Sequence, residues 1–308
     1  MRTTDRGSVV CIGTFDGVHI GHQAILRRVR HEAEDRNLVS VAYAFDAPPR
    51  WTQAGEPTRT LLLPRPIKRS LLGAYVDRVI PVALADVRHL SPDDFAATVL
   101  ARQLSARAVV IGGNFRFGRK RGGTIERLGE LGTENGFETI PVAPVEYTGE
   151  PVSSTRIRQL LTSGDVQQAS ELLGRPPILL GIVESGDRLG RNLGYPTANL
   201  EIDSHELLPG PGIYMIHAFC VGARHEGLLY IGHRPTLGGG ALRCEVHLLA
   251  SQPLDLYGHS MEVHLLERIR EDRAFESLDA LCAQIERDIS AARSGFPRYA
   301  APTAPFSG

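Results

Sequence analysis

The first half of the chain alternates between short apolar runs and segments whose apolar positions repeat at helical spacing. The apolar runs, which predict buried strands, are residues 9–12, 39–45, 79–82, 108–111 and 139–142. The helical spacing covers residues 22–35, 91–104, 124–136 and 154–173. Alternation of this kind predicts an α/β domain, with a mainly parallel sheet covered by helices on both faces.

The pattern changes at Gly174-Arg175-Pro176-Pro177, where two prolines cannot continue the preceding helix. From residue 178 to 270 the chain consists of short apolar runs separated by glycines and prolines, which predict a small all-β barrel or sandwich. Apolar residues at helical spacing over 275–289 then predict one closing amphipathic helix. We therefore expect a first domain at 1–173, a linker at 174–180, a second domain at 181–295 and a flexible tail at 296–308.

Composition and charge exclude several classes of protein. The formal net charge is −1, which argues against electrostatic capture of nucleic acid or anionic membrane, so neither is expected as a partner. The 4 cysteines are widely spaced and form no Cys-x-x-Cys pair, which predicts reduced thiols in a cytoplasmic protein. No apolar segment is long enough to span a bilayer, and residues 1–7 lack the apolar region of a signal peptide. Self-association stays open.

Residues 9–22, VVCIGTFDGVHIGH, join a predicted strand to a predicted helix through a glycine-rich turn. His19 and His22 lie on that turn, and the helix is expected to open at His22. The free N–H groups and the positive dipole end of a helix N-terminus suit an anion such as a phosphate. A His-x-Gly-His pattern in this position is typical of nucleotidyltransferases, although a single histidine is more often structural.

Two further segments follow the same pattern. GGNFRFG at 112–118 follows a predicted strand, at the sheet edge where open α/β folds bind ligands, and its phenylalanines could face a planar ring. VSSTRIR at 152–158 gathers hydroxyls and two arginines where a helix begins, which also suits phosphate. The structural alternatives are a helix cap for Ser-Ser-Thr, core packing for the phenylalanines, and a solvated loop for the basic run at 116–121.

A second candidate site lies in the predicted β-domain. GDRLGRNLGYPTANL at 186–200 is glycine-rich, but no Lys-Ser/Thr follows, so it is not a Walker A loop. Thr197 and Asn199 alternate on an extended segment and therefore face the same side, where their oxygens could hold Mg²⁺. Glu245 shares a strand face with Arg243 and His247 and could accept a proton from a hydroxyl that is being phosphorylated. Its structural alternative is an ordinary solvent-facing strand residue.

These motifs together resemble the prokaryotic family of bifunctional riboflavin kinase/FMN adenylyltransferases, also called FAD synthetases. The resemblance runs from about residue 9 to residue 293 and is carried by the following motifs: GTFDGVHIGH, LSPDDF, GGNFRFG, VSSTRIRQLL, GDRLGRNLGYPTANL, LLPGPGIY, RPT at 234–236, EVHLL and DLYG at 255–258. The family implies a nucleotidyltransferase-like, Rossmann-like α/β domain, then a six-stranded flavokinase barrel with a C-terminal helix. It also implies two reactions, riboflavin plus ATP to FMN and FMN plus ATP to FAD and pyrophosphate.

The resemblance also implies roles for individual residues. For adenylyl transfer, His19 and His22 would be catalytic, and the ATP-binding set would be Gly13, Phe15, His19, His22, Ser154, Thr155 and Arg158. The flavin in that reaction would be faced by Asn114, Phe115, Arg116 and Phe117. In the kinase, Glu245 would be the general base, Thr197 and Asn199 would hold Mg²⁺, and the ATP-binding set would be Gly186, Gly190, Gly194, Thr197 and Asn199.

The chain departs from the family pattern in three places. Ala47-Pro48-Pro49 replaces a Pro-x-Pro turn. Residues 61–64 are Leu-Leu-Leu-Pro, where the family usually has Leu-Thr-Thr and a following lysine. Tyr230 stands where an asparagine often precedes Ile-Gly. The first two departures motivate one alternative, a riboflavin kinase with weak or lost adenylyltransferase activity. Two others are a non-catalytic flavin-binding regulator and a transferase for another small phosphorylated substrate.

Overall fold

The computed structural model describes residues 6–46, 61–184, 194–232, 242–250, 254–300 and 306. The chain divides into two compact units, Met1–Glu56 with Arg65–Ser153 and Pro57–Pro64 with Ser154–Gly308. The linker expected at 174–180 thus falls within the second unit, and the domain boundaries of the sequence analysis stay a prediction.

The first unit is built on a five-stranded parallel sheet whose order is β3-β2-β1-β4-β5. Its strands are β1 (Ser8–Gly13), β2 (Val39–Phe45), β3 (Arg78–Val82), β4 (Ala106–Gly112) and β5 (Glu138–Val142). Strand β1 is central, and its residues Val9, Val10 and Cys11 are fully buried, which explains its unbroken apolar sequence. The predicted parallel α/β domain is confirmed. Strand order reverses between β1 and β4, which is where such sheets bind ligands beyond their carboxyl ends.

Helices connect these strands, as expected for parallel neighbours. They are α1 (Ile20–Asp35), α2 (Arg65–Gly73), α3 (Leu84–Val87), α4 (Pro92–Asp94), which continues as a π-helix over Phe95–Gln103, and α5 (Ile125–Asn135). Helix α1 starts at Ile20, so the prediction that it opens at His22 is wrong by part of a turn. Ser91 caps α4, because its hydroxyl accepts a hydrogen bond from the Asp94 N–H at 3.1 Å. The sequence pattern did not predict α2, α3 or the short hairpin of β6 (Glu146–Tyr147) and β7 (Glu150–Pro151).

The second unit contains a closed six-stranded antiparallel barrel of order β10-β11-β12-β9-β8-β13, as predicted. Its strands are β8 (Ile178–Glu184), β9 (Ala198–Ile202), β10 (Gly212–Cys220), β11 (Ala223–Gly232), β12 (Arg243–Leu248) and β13 (Ser260–Glu271). Closure pairs every strand on both sides and leaves no open sheet edge.

The described residues of this unit form three α-helices. The segment predicted as one helix over 154–173 forms α6 (Ser154–Ser163) and α7 (Val166–Leu173), separated at Gly164, whose φ of +85° a side-chain-bearing residue rarely adopts. The closing helix α8 (Leu278–Gly295) is capped by Ser277 and packs on the outside of the barrel, where Ala292 joins a core cluster around Met215.

All four cysteines are free thiols, in agreement with their wide spacing. Among the described residues, no helix is both long enough and apolar enough to cross a membrane.

Candidate active sites

The turn between β1 and α1 holds the two motif histidines in a defined geometry. His19 is the N-cap of α1, and its Nδ1 accepts a hydrogen bond from the His22 backbone N–H at 3.3 Å. Phe15 and Val18 have φ angles of 50° and 42°, although both are buried residues with bulky side chains. Backbone strain of this kind concentrates at functional turns.

The two imidazole rings lie against each other. Their centroids are 3.6 Å apart with planes 19° from parallel, and the Phe15 ring meets His22 edge-on at 5.4 Å. A Cβ at Gly21 would lie 3.1 Å from the His19 ring, closer than most side-chain carbons pack, so the glycine leaves room for that ring. The His-x-Gly-His spacing is therefore explained by the packing of one ring on the other.

The surroundings of His22 favour its neutral ring. Burial lowers the pKa of His22 well below its usual value, and the neighbouring His19 and Lys68 lower it further. Because His19 Nδ1 accepts the His22 N–H, the proton of a neutral His19 is on Nε2. The buried Nδ1 of His22 has no hydrogen-bond partner among the described residues. An acceptor such as a phosphate oxygen fits this arrangement.

The turn after β4 lies at the same carboxyl edge of the sheet. It closes with a hydrogen bond from the Phe115 N–H to the Gly112 carbonyl at 3.0 Å, and Asn114 is exposed at its tip. Phe115 stacks on Phe117 with centroids 5.8 Å apart. Phe117 is only 6% exposed and belongs to the hydrophobic core, while Phe115 is partly buried at its edge. Phe117 thus packs in the core, and the exposed surface of the turn comes from Asn114, Phe115 and Arg116. The flavin-facing role of Phe117 stays a prediction.

The β1–α1 and β4 turns flank the point at which the strand order reverses. Strands β1 and β4 are parallel neighbours, so the turns that follow them meet at one edge of the sheet. Both motifs follow the ends of their strands, and the sheet order makes those ends adjacent. This is the usual ligand crevice of open α/β sheets.

The third predicted phosphate-binding segment opens helix α6 in the second unit. Ser154 is the first residue of the helix and Thr155 follows it, while Arg158 is partly buried one turn further along. Hydroxyls and a guanidinium at a helix start suit an anion.

The barrel brings the kinase candidates onto one polar face. Glu245 in β12 pairs with Asn199 in β9, and Thr197 Oγ1 donates to Glu245 Oε2 at 3.4 Å. The alternating residues Ala198 and Val246 point into the barrel, where they are 9% and 1% exposed. The predicted shared face of Thr197 and Asn199 is therefore present, and Glu245 lies on it although it is far away in sequence.

Neighbouring side chains hold the Pro-Thr-Ala-Asn segment in place. His247 Nδ1 lies 2.9 Å from the Pro196 carbonyl oxygen, and the His247 ring meets Tyr195 edge-on at 6.1 Å. The Tyr195 hydroxyl donates to Glu286 Oε1 of α8 at 3.1 Å. The closing helix therefore helps to fix the segment that carries Thr197.

Tyr230 is a site residue whose placement the sequence did not reveal. It lies directly opposite Glu245 in the pairing of β11 with β12, and its hydroxyl donates to Asp272 Oδ2 at 3.2 Å. Burial, together with Asp272, raises the pKa of Tyr230 to about 12, so the phenol stays protonated. A side chain at Gly232 would collide with that hydroxyl, so the position of the Tyr230 side chain requires glycine at 232.

The oxygen donors on the barrel face fit Mg²⁺. Among the described residues there is no group of three or more His, Cys, Asp or Glu side chains able to hold a metal ion. The Thr197 hydroxyl and the Glu245 carboxylate do meet there, and Asn199 stands directly opposite Glu245 in the strand pairing. Mg²⁺ prefers such oxygens and keeps several waters when it binds through few protein ligands together with phosphates.

Several predicted positions lie outside the described residues. These are Gly186 and Gly190 of the glycine-rich segment, the Ala47-Pro48-Pro49 turn, and the Arg-Pro-Thr motif at 234–236. Gly194 is described and has a φ of +87°. Leu61 is described too, and its N–H donates to the His205 carbonyl at 2.9 Å within the second unit.

Comparisons with known proteins agree with this two-part arrangement. Residues 1–156 match the family model of FAD synthetase, and residues 173–296 match that of riboflavin kinase. A Pseudomonas fluorescens protein named bifunctional riboflavin kinase/FMN adenylyltransferase is 37% identical over 99% of this chain and 96% of its own length. The Escherichia coli K12 protein of the same name is 37% identical over 94% and 93%. A crystal structure described as a macrolide-efflux protein from Streptococcus pneumoniae is 31% identical, covers 95% of both chains and superposes with a TM-score of 0.85.

Proposed function

The chain belongs to the family of bifunctional riboflavin kinase/FMN adenylyltransferases, and we propose that its two reactions use the side chains gathered at the sheet edge and on the barrel face. The enzyme phosphorylates riboflavin with ATP to give FMN, and it joins FMN to the adenylyl group of ATP to give FAD and pyrophosphate. The family identified from the motifs is thereby confirmed, and the residue roles below are our proposal.

For the kinase reaction, Glu245 is the general base. Its carboxylate accepts the proton of the riboflavin ribityl hydroxyl as that hydroxyl attacks the γ-phosphorus of ATP in line. The partly exposed position of Glu245 on the polar face, with Thr197 Oγ1 at 3.4 Å, supports this role, because substrate can reach the carboxylate. Thr197 and Asn199 would hold Mg²⁺, which neutralises phosphate charge when bound. Gly186, Gly190 and Gly194 would let the backbone approach the phosphates.

For adenylyl transfer, a phosphate oxygen of FMN attacks the α-phosphorus of ATP without a covalent enzyme intermediate. The N–H groups of His19 and His22 donate to the triphosphate, and Gly13 and Phe15 shape the turn that holds them. The stacked imidazoles at the start of α1 support this assignment. Ser154, Thr155 and Arg158 at the start of α6 would bind phosphate of ATP, as their motif implies. Asn114, Phe115 and Arg116 face the flavin.

The single observation that carries the kinase assignment is the pairing of Glu245 with Asn199, and Glu245→Gln tests it. We expect this variant to lose FMN formation from riboflavin, ATP and MgCl₂ while it still makes FAD from supplied FMN, measured by chromatography. Glu226→Gln, which changes an exposed carboxylate on the adjacent strand β11, is the matched control. Kinase turnover equal to that of the control would remove Glu245 from the role.

The adenylyl-transfer assignment is tested by a substitution in the histidine pair. His22→Ala should lose FAD formation from FMN and keep FMN formation from riboflavin, because the barrel is untouched. His31→Gln, on an exposed position of the same helix α1, is the control. If His22→Ala makes FAD as fast as the control, the histidine pair does not bind the reacting ATP.

The cellular setting completes the proposal. The free thiols and the net charge of −1 support a cytoplasmic enzyme that acts on small molecules and has no nucleic-acid or membrane partner. Cell fractionation with detection of the native chain tests this, and recovery with membranes or ribosomes would contradict it.

A further inference from the structure

Lys68 is a buried lysine in a chain that hardly uses lysine. Of the 34 Lys and Arg residues, only Lys68 and Lys120 are lysines. Lys68 lies on α2 and is 7% exposed, whereas lysines are almost never buried this deeply without a specific reason. An ammonium is more compact than a guanidinium, so a lysine here indicates that a small, localised cation is needed.

The Lys68 ammonium is held at the carboxyl edge of the sheet. Nζ donates to the Phe45 carbonyl at the end of β2 at 2.8 Å, and to the Thr14 carbonyl just after β1 at 3.3 Å. An ammonium carries a third N–H, and neutral carbonyls do not balance its charge. Burial lowers the pKa of Lys68, while Asp16 and Asp46 act in the opposite direction, so nearby carboxylates favour the charged form.

Lys68 lies near the histidine pair. Thr14, whose carbonyl accepts from Nζ, directly precedes Phe15, and the Phe15 ring lies against His22. The charge of Lys68 also contributes to the depressed pKa of His22. Neutral imidazoles can donate hydrogen bonds to a triphosphate but cannot offset its negative charge. A site built from them therefore requires a cation beside them.

We propose that Lys68 is a catalytic residue of adenylyl transfer, with its Nζ in contact with the triphosphate of ATP. A bond forms between an FMN phosphate oxygen and the α-phosphorus, and the bond from that phosphorus to the bridging oxygen breaks. The bonding electron pair leaves with pyrophosphate, and Lys68 stabilises the charge that develops there. This inference rests on the proposed role of His19 and His22.

The competing explanation is that Lys68 only stabilises the ends of β1 and β2 by its hydrogen bonds. Three variants of the full chain distinguish this structural role from the catalytic role. Lys68→Met removes the charge and keeps most of the volume, Lys68→Arg keeps the charge, and Arg69→Met changes the exposed neighbour on the same helix. We expect Lys68→Met to lower kcat for FAD formation from FMN by about 100-fold relative to Arg69→Met. FMN formation from riboflavin should be unchanged in all three.

Two further measurements distinguish the roles: the binding of inorganic pyrophosphate and the rate of FAD formation by Lys68→Arg. A purely structural role would change neither selectively. We expect Lys68→Met to weaken the binding of inorganic pyrophosphate, measured by calorimetry, by about tenfold, while its dissociation constant for FMN stays that of Arg69→Met. Lys68→Arg should recover at least a tenth of the lost rate. FAD formation by Lys68→Met within twofold of the control would overturn the proposal, as would a loss of FMN binding in parallel with the rate in both Lys68 variants. The rate of FAD formation from FMN by His22→Ala is measured in the same assay. It tests the histidine assignment separately from the role of Lys68.

Discussion

A buried histidine in the barrel makes the second unit sensitive to acid. His217 in β10 is 1% exposed, stacks on Phe296 at 5.6 Å, and has a buried Nδ1 without a partner among the described residues. Burial, then the charges of Arg224 and His264, lower its pKa from 6.5 to about 4. Glu262 lies near this group too, since it contacts His264, which pairs with His217 across β10 and β13.

The direction of the effect follows from proton binding in the two states. Between about pH 6.5 and 4 the unfolded chain binds a proton at His217 that the folded chain does not, so stability falls as the pH drops through that window. Moving from pH 7 to pH 5 should cost about 2 kcal/mol at this one residue. His217→Phe keeps the ring on Phe296 and removes the titration, and should therefore lose that share of the pH dependence.

The assay is backbone hydrogen exchange of β10 by mass spectrometry at pH 7 and pH 5, corrected for intrinsic exchange, because it reports on one unit of the chain. The quantity compared is the change in opening free energy between the two pH values, in the wild type and in His217→Phe. Groups that titrate elsewhere cancel in this difference. His31→Gln, an exposed histidine, serves as control and should behave as the wild type. An equal pH dependence in wild type and His217→Phe would refute the reasoning.

Three further predictions concern stability. Gly132→Ala should destabilise the first unit by about 2 kcal/mol in urea unfolding, because its Cβ would be 2.5 Å from the Phe137 carbonyl oxygen; Gly129→Ala on the same helix meets nothing within 4 Å and should stabilise, and equal effects would contradict this. Ser91→Ala should cost about 1 kcal/mol through the lost cap of α4, and an unchanged urea midpoint would argue against it. A chain ending at Pro305 should melt earlier, because the Phe306 N–H donates to the buried Glu262 carboxylate at 2.9 Å; an unchanged melting temperature would contradict this.

The sequence determined most of the local structure. Apolar runs located all five strands of the parallel sheet. The inner strands β1, β2 and β4 are apolar almost throughout because both of their faces are buried. Helix α2 was not predicted because it is short. Its sequence also includes Pro66, which is typical of turns, and Lys68, which is typical of exposed surfaces. The motifs also identified His19, His22 and Glu245 as candidates, since these residue types stand at strand ends or on a polar strand face.

What the tertiary structure alone decided is which of these residues meet, and in what charge state. Glu245 and Asn199 are paired by the order of strands in the closed barrel, and no local pattern encodes that order. The neutral state of His22 depends on burial by residues from other elements. Lys68 looks like a solvated helix residue in sequence, and only the packing of α2 against the strand ends makes it a buried cation. Periodicity is local along the chain, whereas burial, register and electrostatics arise from contacts between distant segments.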